Sequence, residues 1–536
     1  MSTKKRFSKW GGLFFSLNII VGYAFVVGLG SSIQAGGLIG MPLILLACAI
    51  VAFGAGIVFG TFAEKYSGYG GAYIYVKHGL GKKWAFFIGW CQYIQGPFCA
   101  ISAIAAIVWS FQGANFFGWD LTNTTKFDEV KPILFAISTI LFIIFIIIVN
   151  LGFRSTRLSL WLTWGLKWFV IILSLIFAFI CIGKLIAENN SHKIIDNITG
   201  KGFHYNGNFF EIITSVLTFF FAFGGFEGAA AMSDDMTNAK KNMSFILIGS
   251  IIIATFFNFI YYFVFLAALG VNQNDPTSII PNGSLDSNPI NSVILNVLGG
   301  ATGVFIAITS LCVLSQVGNN SATCMQNSWI DTRLLLPLAI EGWLPKSWTR
   351  VNKHGQFSKC LIFDSILTIV LMVVYALGAS FATDDIANNL SNTLGIYSLI
   401  TFINYLGTMT SAFVLWRKKE LVFKKWELVI CFSAYALIFL TILGFFTQWI
   451  YFVVTSNGSA LKGFIFQFIA FTLAMLTGLS VYLVGKKRYW ETRTQWHPSF
   501  IAYVKLNPEA VNEKILKRIH RLESEKYPDW LFIEKA

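Results

Sequence analysis

Long apolar runs separated by short polar segments constrain the fold of this chain more than any other feature. A transmembrane helix needs roughly 17 to 25 mostly apolar residues in succession, and the sequence contains twelve such stretches. They are approximately residues 11–34, 38–63, 85–112, 131–151, 159–185, 209–233, 244–271, 291–325, 359–380, 394–416, 427–453 and 462–484. Because runs of this length satisfy their backbone hydrogen bonds in lipid as helices, the sequence predicts an all-α integral membrane protein with twelve transmembrane helices.

The distribution of charge agrees with a membrane topology. Of the 536 residues, 55% are hydrophobic and 12% are charged, whereas soluble domains average about 25% charged residues. The net charge of +14 could suggest nucleic-acid binding, but that function needs a basic face on a folded domain, and here Lys and Arg lie in short loops and near the C-terminus. Placing the N-terminus inside puts most of the 40 Lys and Arg in cytoplasmic segments. This bias predicts a plasma-membrane protein with both termini in the cytoplasm.

The sixth run contains a cluster of small residues, with the sequence FGGFEG at residues 223–228. Glycine costs about 1 kcal/mol relative to alanine inside a helix, so we expect the helix to break at Gly224 and Gly225. A break leaves backbone groups unpaired, which hydrocarbon tolerates only where they are buried in protein or line a wet cavity. Glu227 strengthens this interpretation, because an acid at this depth marks an ion or substrate path by default. The alternative is a glycine-packed helix contact with Glu227 paired to another helix.

The first run is interrupted as well, at Gly22, Tyr23 and Ala24 and again at Gly28 and Gly30. Two interrupted spans in corresponding places of two halves are the sequence mark of a transporter built on inverted repeats. The two halves share no residue-level identity, so the repeat is inferred from topology. The predicted division is a cytoplasmic N-terminus at 1–10, five-span repeats at 11–185 and 209–416, and two additional spans at 427–484, which together make a twelve-span domain at 11–484.

The C-terminal segment, residues 485–536, is predicted to be a cytoplasmic basic amphipathic tail. A helix start at Asn507-Pro508 is followed by apolar residues at helical spacing, interleaved with Lys and Arg: Val511, Ile515, Leu516, Ile519 and Leu522. Such a helix suits the anionic inner leaflet of the bilayer. Docking under the cytoplasmic mouth of the membrane domain is the alternative.

The sequence lacks the residue patterns of enzymes and metal proteins. The eight cysteines fall in or at the ends of apolar runs without ligand spacing, and the six histidines lie in predicted loops or the tail. Neither a nucleophile–base constellation nor a phosphate-cradling loop is present. We therefore expect no catalytic residues, no metal site, no cofactor and no ATP-driven pump. Asp364 is predicted to be an interfacial acid that faces Lys359, and a place in a relay is the alternative.

Four segments, in order, resemble the amino acid/polyamine/organocation permease superfamily. Residues 70–81 (GGAYIYVKHGLG) are similar to the main part of its loop P-x-x-G-G-x-Y-x-Y-x-x-x-x-x-G, but Ser67-Gly68 stand where the family often has proline. Residues 221–230 (FAFGGFEGAA) resemble its sixth-span pattern F-F-A-F-x-G-F-E-x-x-A. Residues 238–242 and 333–346 resemble the segments after spans six and eight, with Ile340 and Glu341 in place of an arginine and an aspartate. The first-span pattern G-S/A-G-I-F-x-x-P is only echoed at residues 22–26, without its proline, and a second register at residues 30–33 stays open.

The resemblance implies a LeuT-type fold of five plus five inverted spans and two additional helices, with spans one and six discontinuous. It implies a substrate site formed by Gly22, Tyr23, Ala24, Phe221, Phe223, Gly224 and Gly225, with Glu227 and Lys167 in coupling or gating. Lys167 lies fifteen residues after the glycine of an N-x-x-G-like segment at residues 150–152, where many members carry a lysine in the place of a sodium ion. The alternative is that Lys167 snorkels to the cytoplasmic interface.

These features together predict a secondary active transporter that imports amino acids by alternating access, proton-coupled or at least sodium-independent. Its expected partners are an amino acid or related amine, protons and the lipid bilayer. A polyamine or other organic-amine permease or exchanger is the first alternative. A channel-like or receptor-like membrane protein without coupled transport is the second.

Overall fold

The computed structural model describes residues 7–21, 24–66, 68–112, 114–121, 124–199, 209–269, 289–298, 303–382, 386–455 and 458–495. These residues are mostly helical, with one two-stranded antiparallel hairpin, β1 (Asn115–Phe116) and β2 (Trp119–Asp120). The helices are α1 (Lys9–Ile20), α2 (Ala24–Lys65), α3 (Ala72–Leu80), α4 (Lys82–Trp109), α5 (Thr124–Asn150), α6 (Phe153–Ala187), α7 (Ser191–Thr199), α8 (Phe209–Phe220), α9 (Glu227–Ala231), α10 (Ala239–Leu269), α11 (Pro289–Leu298), α12 (Gly303–Ile340), α13 (Ser358–Ala382), α14 (Ile386–Arg417), α15 (Lys425–Thr455) and α16 (Gly458–Gln495).

Ten of the helices in the described residues are long and apolar enough to cross a membrane. They lie in α2, α4, α5, α6, α10 and α12 to α16, and they coincide with ten of the twelve predicted spans. The helical character of the chain is thereby confirmed, and these ten candidate spans agree with a multi-pass protein. The two predicted spans outside this set are the first and the sixth, where the chain instead forms the shorter segments α1 and α8–α9. The total of twelve remains a prediction.

Several predicted boundaries differ from the structure. No loop separates the first two predicted spans at residues 34–37, because α2 is one helix of 42 residues, about 63 Å long. Helix α12 continues to Ile340, so residues 326–340 are helical and not part of a loop. Helix α16 extends to Gln495, beyond the predicted end of the last span. The amphipathic helix predicted for the tail lies outside the described residues.

Helix α4 lies at the centre of the bundle, while α5 and α16 lie at its edge. All residues of the most apolar window of α4 are buried, against 22% for those of α5 and α16. Helix α4 packs against α12, α13 and α14, and α2 packs against α8, α10 and α15. The outward sides of the peripheral helices expose large apolar residues such as Ile133, Ile140 and Leu483, which is the arrangement expected of helices that face lipid. Functional side chains are therefore best sought around α4 and its neighbours.

Candidate functional site

The sixth predicted span changes conformation at Gly224 and Gly225. Helix α8 ends at Phe220, a 3-10 turn follows at Phe221–Phe223, and α9 begins at Glu227. Gly224 has extended backbone angles, with φ −79° and ψ 166°, and Gly225 has φ +102°. A positive φ of this kind is accessible to glycine at little cost but strained for other residues. The glycines thus permit a local backbone path that a regular helix does not allow.

Glu227 satisfies one of the amides freed at this point. Its Oε2 accepts a hydrogen bond of 3.0 Å from the Gly225 N–H and one of 2.8 Å from the Tyr405 hydroxyl on α14. The residue is 3% exposed. Gln92 of α4 donates to its backbone carbonyl at 3.4 Å. Both donors to the carboxyl are neutral, so Glu227 holds the non-helical segment against α14 rather than pairing with a cation.

The glycines also allow two other elements to approach the chain closely. A Cβ atom on Gly224 would lie 3.1 Å from the hydroxyl oxygen of Tyr397, and one on Gly225 would lie 2.3 Å from Cγ2 of Ile19. Ile19 is in the last turn of α1, and Tyr397 is on α14. The end of α1 therefore meets the interruption between α8 and α9 directly.

The structure separates the two phenylalanines that were predicted to bind substrate. The Phe221 ring is partly exposed and lies 4.7 Å from the Tyr397 ring, centroid to centroid. Phe223 is completely buried in the core. Only Phe221 thus shares a surface with Tyr397 and Gly224. Tyr397 and Tyr405 were absent from the predicted site, although two tyrosines eight residues apart in an apolar run lie on the same side of a helix.

In the first predicted span, Gly22 and Tyr23 lie outside the described residues, as does the side chain of Ala24. The described residues that take part in the site are Asn18 and Ile19. Lys167 of α6 is fully buried, and its Nζ donates a hydrogen bond of 2.9 Å to the carbonyl oxygen of Asn18. The Trp168 indole donates to the Asn18 side-chain oxygen, also at 2.9 Å. Lys167 therefore does not extend to the interface.

Lys167 lies beside groups that accept hydrogen bonds and attract positive charge. Carbonyls of the last helical turn lack intrahelical partners, and the C-terminal end of a helix carries partial negative charge. The ammonium supplies a donor and a positive charge at the end of α1. Lys167 and Glu227 are not paired with each other. The junction is the place where Ile19, at the end of α1, faces Gly225, between α8 and α9. Lys167 contacts its α1 side through Asn18, the neighbour of Ile19, and Glu227 contacts its other side through Gly225.

A second polar cluster lies where the N-terminal segment meets the loop after α9. The Phe7 N–H donates to the Asp235 carbonyl at 3.0 Å, and the Tyr69 hydroxyl donates to the Asp235 carboxylate at 2.9 Å. The buried Arg333 guanidinium lies 3.4 Å from the same carboxylate and 2.8 Å from Gln356 Oε1. Burial, reinforced by Asp235, raises the pKa of Tyr69 well above its usual range. The cluster joins five chain segments.

Comparisons with known proteins found sequences and a structure that are similar to this chain. The sequence model of the amino acid permease family matches residues 7–482. An uncharacterized protein of Mycoplasma genitalium is 27% identical over 465 residues, covering 82% of this chain and 88% of that protein. The amino-acid permease Inda1 of Hypocrea atroviridis is 24% identical over 354 residues, covering 64% of this chain and 57% of that protein. The crystal structure of MhsT in complex with L-phenylalanine superposes with a TM-score of 0.49 at 12% identity, covering 82% of this chain and 99% of that one.

Proposed function

This chain belongs to the amino acid permease family, since the family model spans nearly its whole length, and we propose that it imports amino acids by alternating access as a secondary active transporter. Membership makes it a multi-pass membrane transporter and not an enzyme. The proposal extends to a LeuT-type arrangement of five plus five inverted spans, with α1 and the start of α2 as span one and α8–α9 as span six.

One observation carries the proposal: the end of α1 faces the interruption between α8 and α9, with Ile19 against Gly225. Two chain breaks meet there among buried residues, so backbone groups that lie outside regular helix come close together. Such groups suit the carboxylate and the ammonium of an amino acid, and transporters place their substrates at interruptions of this kind. The substrate therefore binds between Gly224, Gly225 and the span-one break at Gly22, Tyr23 and Ala24, with Phe221 as its aromatic cover.

The contacts of Glu227 favour a neutral amino acid over a polyamine. Its carboxyl already accepts hydrogen bonds from Gly225 and Tyr405, so a cationic substrate would have to displace these donors. A polyamine also has no carboxylate to accept hydrogen bonds from backbone amides at the two breaks. An amino acid offers both a carboxylate and an ammonium, so it can form hydrogen bonds at both chain breaks.

Lys167 supports coupling that does not depend on sodium. Its ammonium donates a hydrogen bond to the carbonyl oxygen of Asn18. A sodium ion about 4 Å from that ammonium would be repelled by about 4 kcal/mol at an effective dielectric constant of 20. A buried lysine can release and regain a proton more readily than an exposed one. We therefore assign Lys167 to proton coupling, with Glu227 holding the adjoining segment of span six.

The proposal is tested with purified protein in liposomes under imposed proton or sodium gradients. Labelled neutral amino acids should accumulate with a proton gradient and no sodium, and a protonophore should stop their accumulation. Uptake of polyamines alone would replace the proposal with an organic-amine permease. Substrate binding without accumulation, or conductance without coupling, would replace it with a receptor or a channel.

The plasma-membrane location and the cytoplasmic position of both termini belong to the same proposal. Reporter domains fused to either end should be active only inside the cell. A terminal reporter that is active outside would reverse the topology predicted from Lys and Arg.

A further inference from the structure

Two carboxyl groups meet in the interior, away from the junction described above. Asp331 of α12 and Asp364 of α13 are 3% and 1% exposed, and each carboxyl lies within electrostatic range of the other. Asp364 was predicted to be an interfacial acid facing Lys359. That prediction is wrong, because Lys359 is exposed whereas Asp364 points inward.

Helix α4 packs against both acids. A Cβ atom on Gly96 would lie 1.9 Å from Oδ2 of Asp331, so the helix backbone rests directly against the carboxyl. One turn earlier, the fully buried Tyr93 directs its hydroxyl toward Asp364. Neither that hydroxyl nor Oδ1 of Asp364 has a hydrogen-bond partner among the described residues. A buried donor and a buried acceptor thus remain available beside the pair.

The protonation of the pair follows from its contacts. Two ionised carboxylates close together in a dry interior strongly disfavour each other, so the pair is more stable with one proton between them. Arg333 does not neutralise them directly, since its guanidinium contacts Asp235, Gln356 and the Trp329 ring. The other titratable groups that face the pair from α4, α13 and α14 are Tyr93, Cys99, Cys360 and Tyr397.

We propose that Asp331 and Asp364 bind one shared proton and form a second protonation site, separate from Lys167. Tyr397 connects this site to the junction, because it touches Gly224 and lies in electrostatic range of both Asp331 and Glu227. Movement of the shared proton during transport rests on the proposed function, whereas the presence of the proton does not depend on it.

Infrared spectroscopy of the full-length protein in lipid at neutral pH tests for the proton itself. The wild type minus Asp331→Asn/Asp364→Asn difference spectrum should contain one protonated carboxyl and one carboxylate. Two carboxylates, or two protonated carboxyls, would refute the shared proton. Conversion of the protonated band to carboxylate on replacing potassium by sodium would instead identify a cation site. The control Asp128→Asn removes an exposed acid of α5 and should remove a carboxylate only.

Uptake in liposomes then tests the part that depends on transport. The double variant should lose the increase of uptake with external acidity while retaining exchange of internal for external substrate. If it keeps the wild-type pH dependence although the infrared result is positive, the proton is structural and the coupling role is wrong. If the wild type transports no amino acid at all, the proposed function fails while the infrared result still decides the shared proton.

Discussion

Replacing Gly225 by alanine tests the junction most directly, because the structure gives two independent costs. The new Cβ would lie 2.3 Å from Cγ2 of Ile19, an overlap that forces a shift costing about 1 to 3 kcal/mol. The backbone angle of +102° adds about 1 to 3 kcal/mol for any residue with a Cβ. The conformation in which α1 meets span six should therefore be destabilised by about 2 to 6 kcal/mol.

That cost translates into a measurable loss of transport. Each 1.4 kcal/mol is about a factor of ten, so initial uptake by Gly225→Ala should fall roughly 25-fold or more if transport passes through this conformation. Gly224→Ala should lose less than about fivefold, because its Cβ would lie 3.1 Å from Tyr397 at an ordinary φ of −79°, at the lower end of the overpacking range, about 1 kcal/mol. The assay is uptake normalised to the amount of protein in the membrane.

A matched control and a rescue make this prediction refutable. Gly183 lies on the exposed side of α6, where a Cβ would meet nothing within 4 Å, so Gly183→Ala should leave uptake unchanged. Adding Ile19→Ala to Gly225→Ala removes the overlap but not the backbone strain, and should restore uptake in part. If Gly225→Ala transports as well as Gly183→Ala, the junction is not part of the transport path.

Three further predictions follow from Lys167, the Arg333 cluster and the tail. Lys167→Ala should abolish accumulation against a gradient but retain exchange, and normal accumulation by this variant would remove Lys167 from coupling. Arg333→Ala leaves Asp235 buried without its cation and should lower the free energy of unfolding by about 3 to 5 kcal/mol, measured as a loss of thermal stability in detergent. Lys77→Ala breaks the more exposed Lys77–Glu341 pair and should lower the free energy of unfolding by about 1 kcal/mol or less. Equal losses of stability in Arg333→Ala and Lys77→Ala would contradict the buried position of the Arg333–Asp235 pair. Deleting residues 505–536 should hardly change the transport rate if the tail rests on lipid, whereas a faster rate would show that it plugs the cytoplasmic mouth.

The sequence alone determined those features that depend on neighbours along the chain. Span length is a local property, because each helix must cross the hydrocarbon with its own residues, and ten of the predicted spans coincide with helices of the structure. The interruption after α8 was also predictable from local sequence, since glycines such as Gly224 and Gly225 can adopt backbone angles that other residues avoid. The motif resemblance led to the same family as the family model.

Hydropathy failed where protein, rather than lipid, surrounds a helix. Residues 326–340 include Asp331 and Arg333 and therefore resembled a loop, yet they are helical and largely buried. The guanidinium of Arg333, for example, is paired with Asp235 and Gln356. A scale based on transfer into lipid cannot detect such partners, because they are distant in sequence.

Only the tertiary structure decided which distant residues meet. Lys167 was expected either to replace an ion or to reach the interface, and its contact with the Asn18 carbonyl, 149 residues away, places it in the interior. Tyr405 reaches Glu227 across 178 residues, and Asp364 turns from Lys359 toward Asp331. A sequence records what each side chain can donate, accept or ionise, but packing selects its partner, since a buried polar group is stable only where a complementary group from another helix is brought within reach.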